Sequence, residues 1–120
     1  DVRSVVFAPD SQALLGSTWF NLHRWDFDSG KHSVLKTEHG GIINDIRLHP
    51  DGTSLLSISR QTDSAVLRLD QRTGKTVEYF QPHELCGASV AISDDGLYVA
   101  STSDDASVMI WHLPATAAGE

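Results

Sequence analysis

Residues 83–112 read His83-Glu84-Leu85-Cys86-Gly87-Ala88-Ser89-Val90-Ala91-Ile92-Ser93-Asp94-Asp95-Gly96-Leu97-Tyr98-Val99-Ala100-Ser101-Thr102-Ser103-Asp104-Asp105-Ala106-Ser107-Val108-Met109-Ile110-Trp111-His112. Three short apolar runs stand out, at Val90–Ile92, Leu97–Ala100 and Val108–Trp111. The turn residues Asp94-Asp95-Gly96 and Asp104-Asp105 separate them. Asp and Gly suit tight turns because they tolerate unusual backbone angles. Short β-branched or aromatic runs between such turns predict strands.

The same order recurs twice upstream. Val5-Val6-Phe7-Ala8-Pro9-Asp10 and Ile46-Arg47-Leu48-His49-Pro50-Asp51 align with Val90-Ala91-Ile92-Ser93-Asp94-Asp95. Asp10 to Asp51 is 41 positions and Asp51 to Asp95 is 44. A second run follows each turn, at Ala13-Leu14-Leu15, Ser54-Leu55-Leu56 and Leu97–Ala100. A third follows at Leu22–Asp26, Val66–Asp70 and Val108–His112. A fourth follows only twice, at His32–Thr37 and Thr76–Phe80. No segment carries a 3.6-residue apolar stripe over a dozen residues. The chain therefore predicts an all-β fold, four strands per unit, with the last unit one strand short. A period of about 40 to 45 residues is the mark of a repeat architecture.

On these residues the chain resembles the WD40 repeat family, whose units build propeller blades of four antiparallel strands. In that family a His before strand A, a Ser or Thr on strand B, an Asp in the B–C turn and a Trp on strand C form a hydrogen-bonded tetrad. The third repeat matches at each position, with Ser101, Asp105 and Trp111 lying 18, 22 and 28 residues after His83. The second matches in part. His39 precedes Ser57 by 18, Asp63 takes the Asp position in a longer turn, and Leu69 replaces Trp. The first has the chain's one literal Trp-Asp pair, Trp25-Asp26, with Gly16 or Ser17 at the Ser position and Trp19-Phe20-Asn21 in the B–C turn. The resemblance implies a structural role for His83, Ser101, Asp105, Trp111, His39, Ser57, Asp63 and Trp25. Such groups can satisfy one another when buried.

The expected organisation is one partial propeller over residues 1–120. Blade 1 spans about 1–37, blade 2 about 42–81 and blade 3 about 87–113, followed by a flexible tail at 114–120. Blades bury their faces against neighbours, and propellers have ~4 to 8 of them. Three blades leave two faces open, which marks an interface or an aggregation hazard. The simplest expectation is the C-terminal part of a longer propeller, with a homo-oligomer as the harder route. Asp1 in place of Met agrees with a processed chain or a piece of a longer one.

Composition narrows the function. The formal net charge of −7 and the scattered basic residues argue against phosphate-backbone binding, so no nucleic-acid partner is expected. No apolar run approaches the ~18 residues of a membrane helix, so no membrane partner is expected either. The single cysteine, Cys86, gives no internal disulfide. With no signal peptide read at the start, a cytoplasmic location is expected.

Chemistry-bearing groups are few. His23, His32, His39, His49, His83 and His112 show no zinc-like spacing with cysteine. Asp94-Asp95 and Asp104-Asp105 read as turn formers, and Cys86 as a small buried thiol. No Gly-rich phosphate loop is present. No catalytic residue, metal or cofactor is therefore expected. Arg24 and Arg68 sit one residue before the Trp position, where a charge must be paired, reach solvent or meet a partner. In this family the B–C turns line an end of the ring where partners dock. Trp19, Phe20, Arg60 and Gln61 are the candidate partner-binding residues, since Trp and Arg are enriched in hot spots. Trp19 and Phe20 equally suit packing over a neighbouring loop. Arg3, Ser4, Asn44, Asp45 and Arg47 are the polar candidates for a central channel. The resulting expectation is a non-catalytic scaffold that binds proteins or peptides, including the rest of its own propeller. The alternative is a regulatory or sensory propeller domain of a larger multidomain enzyme.

Overall fold

The computed structural model describes residues 1–60, 64–80 and 83–113. Within them lie eleven strands and no helix. The first blade is β1 (Ser4–Phe7), β2 (Ala13–Ser17), β3 (Asn21–Asp26) and β4 (His32–Lys36). The second is β5 (Ile43–Leu48), β6 (Ser54–Ser59), β7 (Val66–Asp70) and β8 (Thr76–Phe80). The third is β9 (Gly87–Ile92), β10 (Tyr98–Ser103) and β11 (Val108–His112). Each blade is a meander in which consecutive strands pair antiparallel. Among the described residues β11 has no strand on its outer side, as the missing fourth run implies.

The aspartates after the strands explain the turns. Asp51 Oδ1 accepts the N–H groups of Thr53 and Ser54 at 2.8 and 3.0 Å. Asp26 accepts those of Asp28 and Ser29, and Asp70 those of Arg72 and Thr73. A short acceptor side chain that caps its own turn reverses the chain within a few residues.

Burial records the stacking of the blades. In β6 all six residues are buried, so both of its faces are covered. Leu55 packs into one cluster with Leu15, Leu22, Ile43, Ile46, Leu67 and Leu69, between the first and second blades. Leu56 and Ile58 pack into another with Val66, Val90, Val99 and Leu113, between the second and third. The end blades bury one face each. Val5 and Phe7 of β1 are exposed, as are Val108 and Ile110 of β11. Strict alternation is what a sheet with one wet face requires.

Gly87 permits a close contact between the second and third blades. A Cβ there would lie 2.4 Å from Ile58 Cγ1 and 2.5 Å from the Ser59 carbonyl oxygen. Glycine is the residue for such close backbone approach.

Polar groups of the inner strands tie the blades together. Asp45 is buried, and its Oδ1 accepts the Ser4 hydroxyl at 3.0 Å while its Oδ2 accepts the Val90 N–H at 3.0 Å. One carboxylate thus bridges three blades. Asn44 donates to the Gly87 carbonyl at 3.0 Å, and Arg47 to that of Val90 at 3.2 Å. On the turn side, His49 Nδ1 accepts the Asp51 N–H, so its Nε2–H donates to the Gly96 carbonyl at 2.9 Å. Of the channel candidates, Ser4, Asn44, Asp45 and Arg47 therefore spend their polarity on inter-blade bonds. Arg3 is exposed and pairs with Asp1 at 3.7 Å.

Candidate functional site

Between β8 and β9 the chain carries His83, which is buried. Its Nδ1–H points at Asp105 Oδ2, 3.3 Å away, leaving Nε2 to accept the Ser101 hydroxyl at 2.7 Å. Ser107 joins as well. Its hydroxyl donates to Asp105 Oδ1 and lies 3.1 Å from His83 Nδ1. The Ser107 hydroxyl, with the Ser107 N–H, His83 and the Glu84 N–H, pulls the Asp105 carboxyl down to about 2. Asp105 is thus an anion that only accepts, which fixes the imidazole's tautomer.

The expected fourth member, Trp111, is not hydrogen-bonded to the other three among the described residues. Among the described residues the Trp111 indole has no hydrogen-bond partner. Its ring packs on Phe80 at 5.2 Å and on the cluster between the second and third blades. Packing, and not a donated bond, is its contribution here. Ser107 carried a readable signal, since Asp followed two residues later by Ser is a turn-capping pair.

In the second blade His39 Nε2 lies 2.7 Å from the buried Ser57 hydroxyl. The expected partner Asp63 lies outside the described residues, as does Gln61. In the first blade, register resolves the Ser position. Gly16 pairs with Val5 and His23 just as Ser57 pairs with Ile46 and Leu67. A Cβ on Gly16 would meet the Trp25 ring at 2.9 Å. The Trp25 indole thus lies over the place of the hydroxyl, with none there to bond. It joins a set of near-parallel rings, 5.8 Å from His23 and 5.3 Å from His32. Trp25 is therefore part of an aromatic stack and not of a tetrad.

The B–C turn of the first blade is different in kind. Trp19 and Phe20 are 42% and 47% exposed, with rings 5.7 Å apart at 54°. Phe20 has φ of 67°, a left-handed conformation rare for a bulky residue. Four bonds hold it. The Phe20 N–H donates to the Gly41 carbonyl at 3.0 Å, and the Phe20 carbonyl accepts the Thr37 N–H and hydroxyl. The Ile43 N–H donates to the Thr18 carbonyl. Beside them, the Arg60 N–H donates to the Ile42 carbonyl at 2.9 Å. Trp19 also bridges to Ile42. The loop at 40–42 therefore brings Trp19, Phe20 and Arg60 to one end of the arc. Trp19 and Phe20 do lie beside that neighbouring loop, yet about half of each ring's residue surface stays open.

The two unusual arginines part company. Arg68 is buried and meets Asp51 at 2.6 Å, Glu78 at 3.6 Å and the Ser54 hydroxyl at 3.0 Å. Burial works against the Asp51 charge, but the N–H groups of Thr53 and Ser54 and the Arg68 guanidinium hold its carboxyl well below the usual range. Among the described residues Arg24 donates to Gln71 Oε1 alone, at 3.2 Å. Among the described residues no group of three or more His, Cys, Asp or Glu is placed to hold a metal. No helix of the described residues is long and apolar enough to cross a membrane.

Antiparallel meanders laid face to face, tied by inner-strand polar bonds and by buried His–Ser pairs, define a β-propeller arc. Residues 74–112 match the WD40 family model, described as WD domain, G-beta repeat. Those residues are a WD40 repeat, and the three-blade arc has the WD40 propeller fold. Striatin of Homo sapiens is 34% identical over 71 residues, which cover 59% of this chain and 9% of that protein. Protein tipD of Dictyostelium discoideum is 33% identical over 92 residues, covering 72% of this chain and 15% of that one. Striatin-4 of Mus musculus is 32% identical over 93 residues, covering 74% and 12%. The chain thus spans no more than about a seventh of these relatives' length. The solved structures of U3-55K and of the RRP9 WD40 repeats each superpose with a TM-score of 0.80 at 21% identity. They cover 93% of this chain and 36% and 35% of theirs, and at that identity the likeness is one of fold. WD40 repeats generally mediate protein–protein interaction and generally serve as non-catalytic scaffolds.

Proposed function

We propose that this chain is a non-catalytic interaction scaffold whose docking surface is the end of the arc formed by Trp19, Phe20 and Arg60. One observation carries the reading: two adjacent aromatic rings stand half-exposed on a turn held in a strained backbone conformation. Strain of this kind costs roughly 1–3 kcal/mol and persists only where the surroundings impose it. Here the surroundings are four bonds, to Thr37, Gly41 and Ile43. An aromatic anchor fixed in advance loses little entropy on binding. The rim of Arg60 adds a cation suited to hydrogen bonding across an interface.

The partner is a protein or peptide. A formal net charge of −7 disfavours a nucleic acid. Further blades of the same propeller cover the two open faces of the arc, Val5, Phe7 and Val34 at one end and Tyr98, Val108 and Ile110 at the other. Replacing Trp19 and Phe20 together by Ala, and Arg60 separately by Ala, should remove partner proteins from an affinity purification while the β-sheet circular dichroism stays unchanged. Retention of every partner by both folded variants would refute the surface assignment.

A further inference from the structure

At the other end of the strands, away from Trp19, a cavity of about 240 Å³ lies between the first and second blades. Its lining includes Asp10, Arg24, Asp70, Gln71 and Arg72. Comparison of the two blades shows what is missing there. Arg68 and Arg24 occupy the same register position, since Arg68 pairs with Leu56 and Glu78, and Arg24 with Leu15 and Ser33. Arg68 is neutralised by Asp51 and Glu78 and bonded to Ser54. The counterparts beside Arg24 are Asp10, Ser33 and Ala13, so one carboxylate and one hydroxyl are gone.

The remaining acids are occupied elsewhere. Asp10 Oδ1 accepts the Gln12 N–H at 2.9 Å, Asp26 Oδ1 those of Asp28 and Ser29, and Asp70 Oδ1 those of Arg72 and Thr73. Among the described residues no carboxylate is in ion-pair contact with Arg24. Of its five N–H donors one is used, on Gln71, a buried side chain of the second blade. Arg72 stands exposed at the rim of the same cavity. Asp26 feels the Arg24 charge without reaching ion-pair contact, so this half-buried guanidinium faces the cavity with donors still able to take an anion.

We propose that this cavity receives the carboxylate of an acidic side chain from a partner protein, held by Arg24 in two parallel hydrogen bonds with Arg72 at the mouth. Two features favour a carboxylate over a phosphate group. Asp10 and Asp70 line the same cavity and Asp26 feels the cation, and their field repels a group of charge near −2 more than one of −1. The planar fork of arginine also matches a carboxylate edge to edge. The site is independent of the Trp19 surface, lying at the opposite end of the strands.

The test is saturation-transfer NMR on the full chain, which tolerates weak ligands and any state of assembly. The probes are the capped tripeptide Gly-Glu-Gly, its Gly-Gln-Gly counterpart and inorganic phosphate. The Glu peptide should receive saturation and the Gln peptide should not. Arg24→Gln should weaken the Glu peptide by about tenfold or more. If that variant does not fold, Arg24→Lys and Arg72→Gln carry the test, each weakening binding by roughly several-fold. Equal response to the Glu and Gln peptides overturns the proposal, as does an undiminished response in the folded Arg24 variants. Phosphate binding with a silent Glu peptide also overturns it.

Discussion

Asp51 and Asp105 connect single side chains to the pH range of the fold. Both carboxyls titrate below their ordinary value of 3.8 in the folded chain, Asp105 down to about 2. A depressed folded pKa means that the unfolded chain binds the proton more readily. Their stabilisation is therefore complete above about pH 5, where both states are ionised, and is lost progressively as pH falls toward 2 and below. Acid unfolding followed by tryptophan fluorescence should show stability falling through that window. Asp51→Asn should flatten the fall, because the Arg68 contact then no longer depends on protonation. An unchanged pH slope in that variant would show that Asp51 does not govern it. His83 gives a second residue-scale expectation. Ser101→Ala should cost about 1–3 kcal/mol in denaturant unfolding, since it leaves the buried imidazole Nε2 without its donor. A loss below a few tenths would contradict the network.

At the scale of strands, the turn pairs and the 41- and 44-residue spacing already marked the three repeats and placed the β-runs. The His–Ser spacing of 18 was legible for the same reason, because a loop-to-strand distance is fixed by the meander. Two things were not legible. Whether Gly16 or Ser17 fills the Ser position depends on register, which adjacent small residues leave open until the strands pair. The role of Asp45 was also hidden, because its acceptors reach Ser4 and the Val90 N–H, 41 and 45 residues away. Nothing local distinguishes such a buried bridge from a polar residue lining a channel. Among the strands, β9 depends most on one small residue. Gly87→Ala should destabilise by about 1–3 kcal/mol, as the Ile58 side chain and the Ser59 backbone must both give way. Wild-type stability in that variant would mean that β6 and β9 are not this close.

The whole molecule is an arc with a covered middle and two open ends. The second blade is buried on both sides, while the first and third each present apolar side chains outward. The outward set includes Phe7, Val34, Val108 and Ile110, each at least half exposed. Such faces belong against further blades. These ends need cover. Light scattering coupled to size exclusion on this chain alone tests that most directly. The arc predicts species larger than the 13.1 kDa chain, or loss of the cooperative β-fold. A monodisperse 13.1 kDa monomer with a sharp unfolding transition would contradict it.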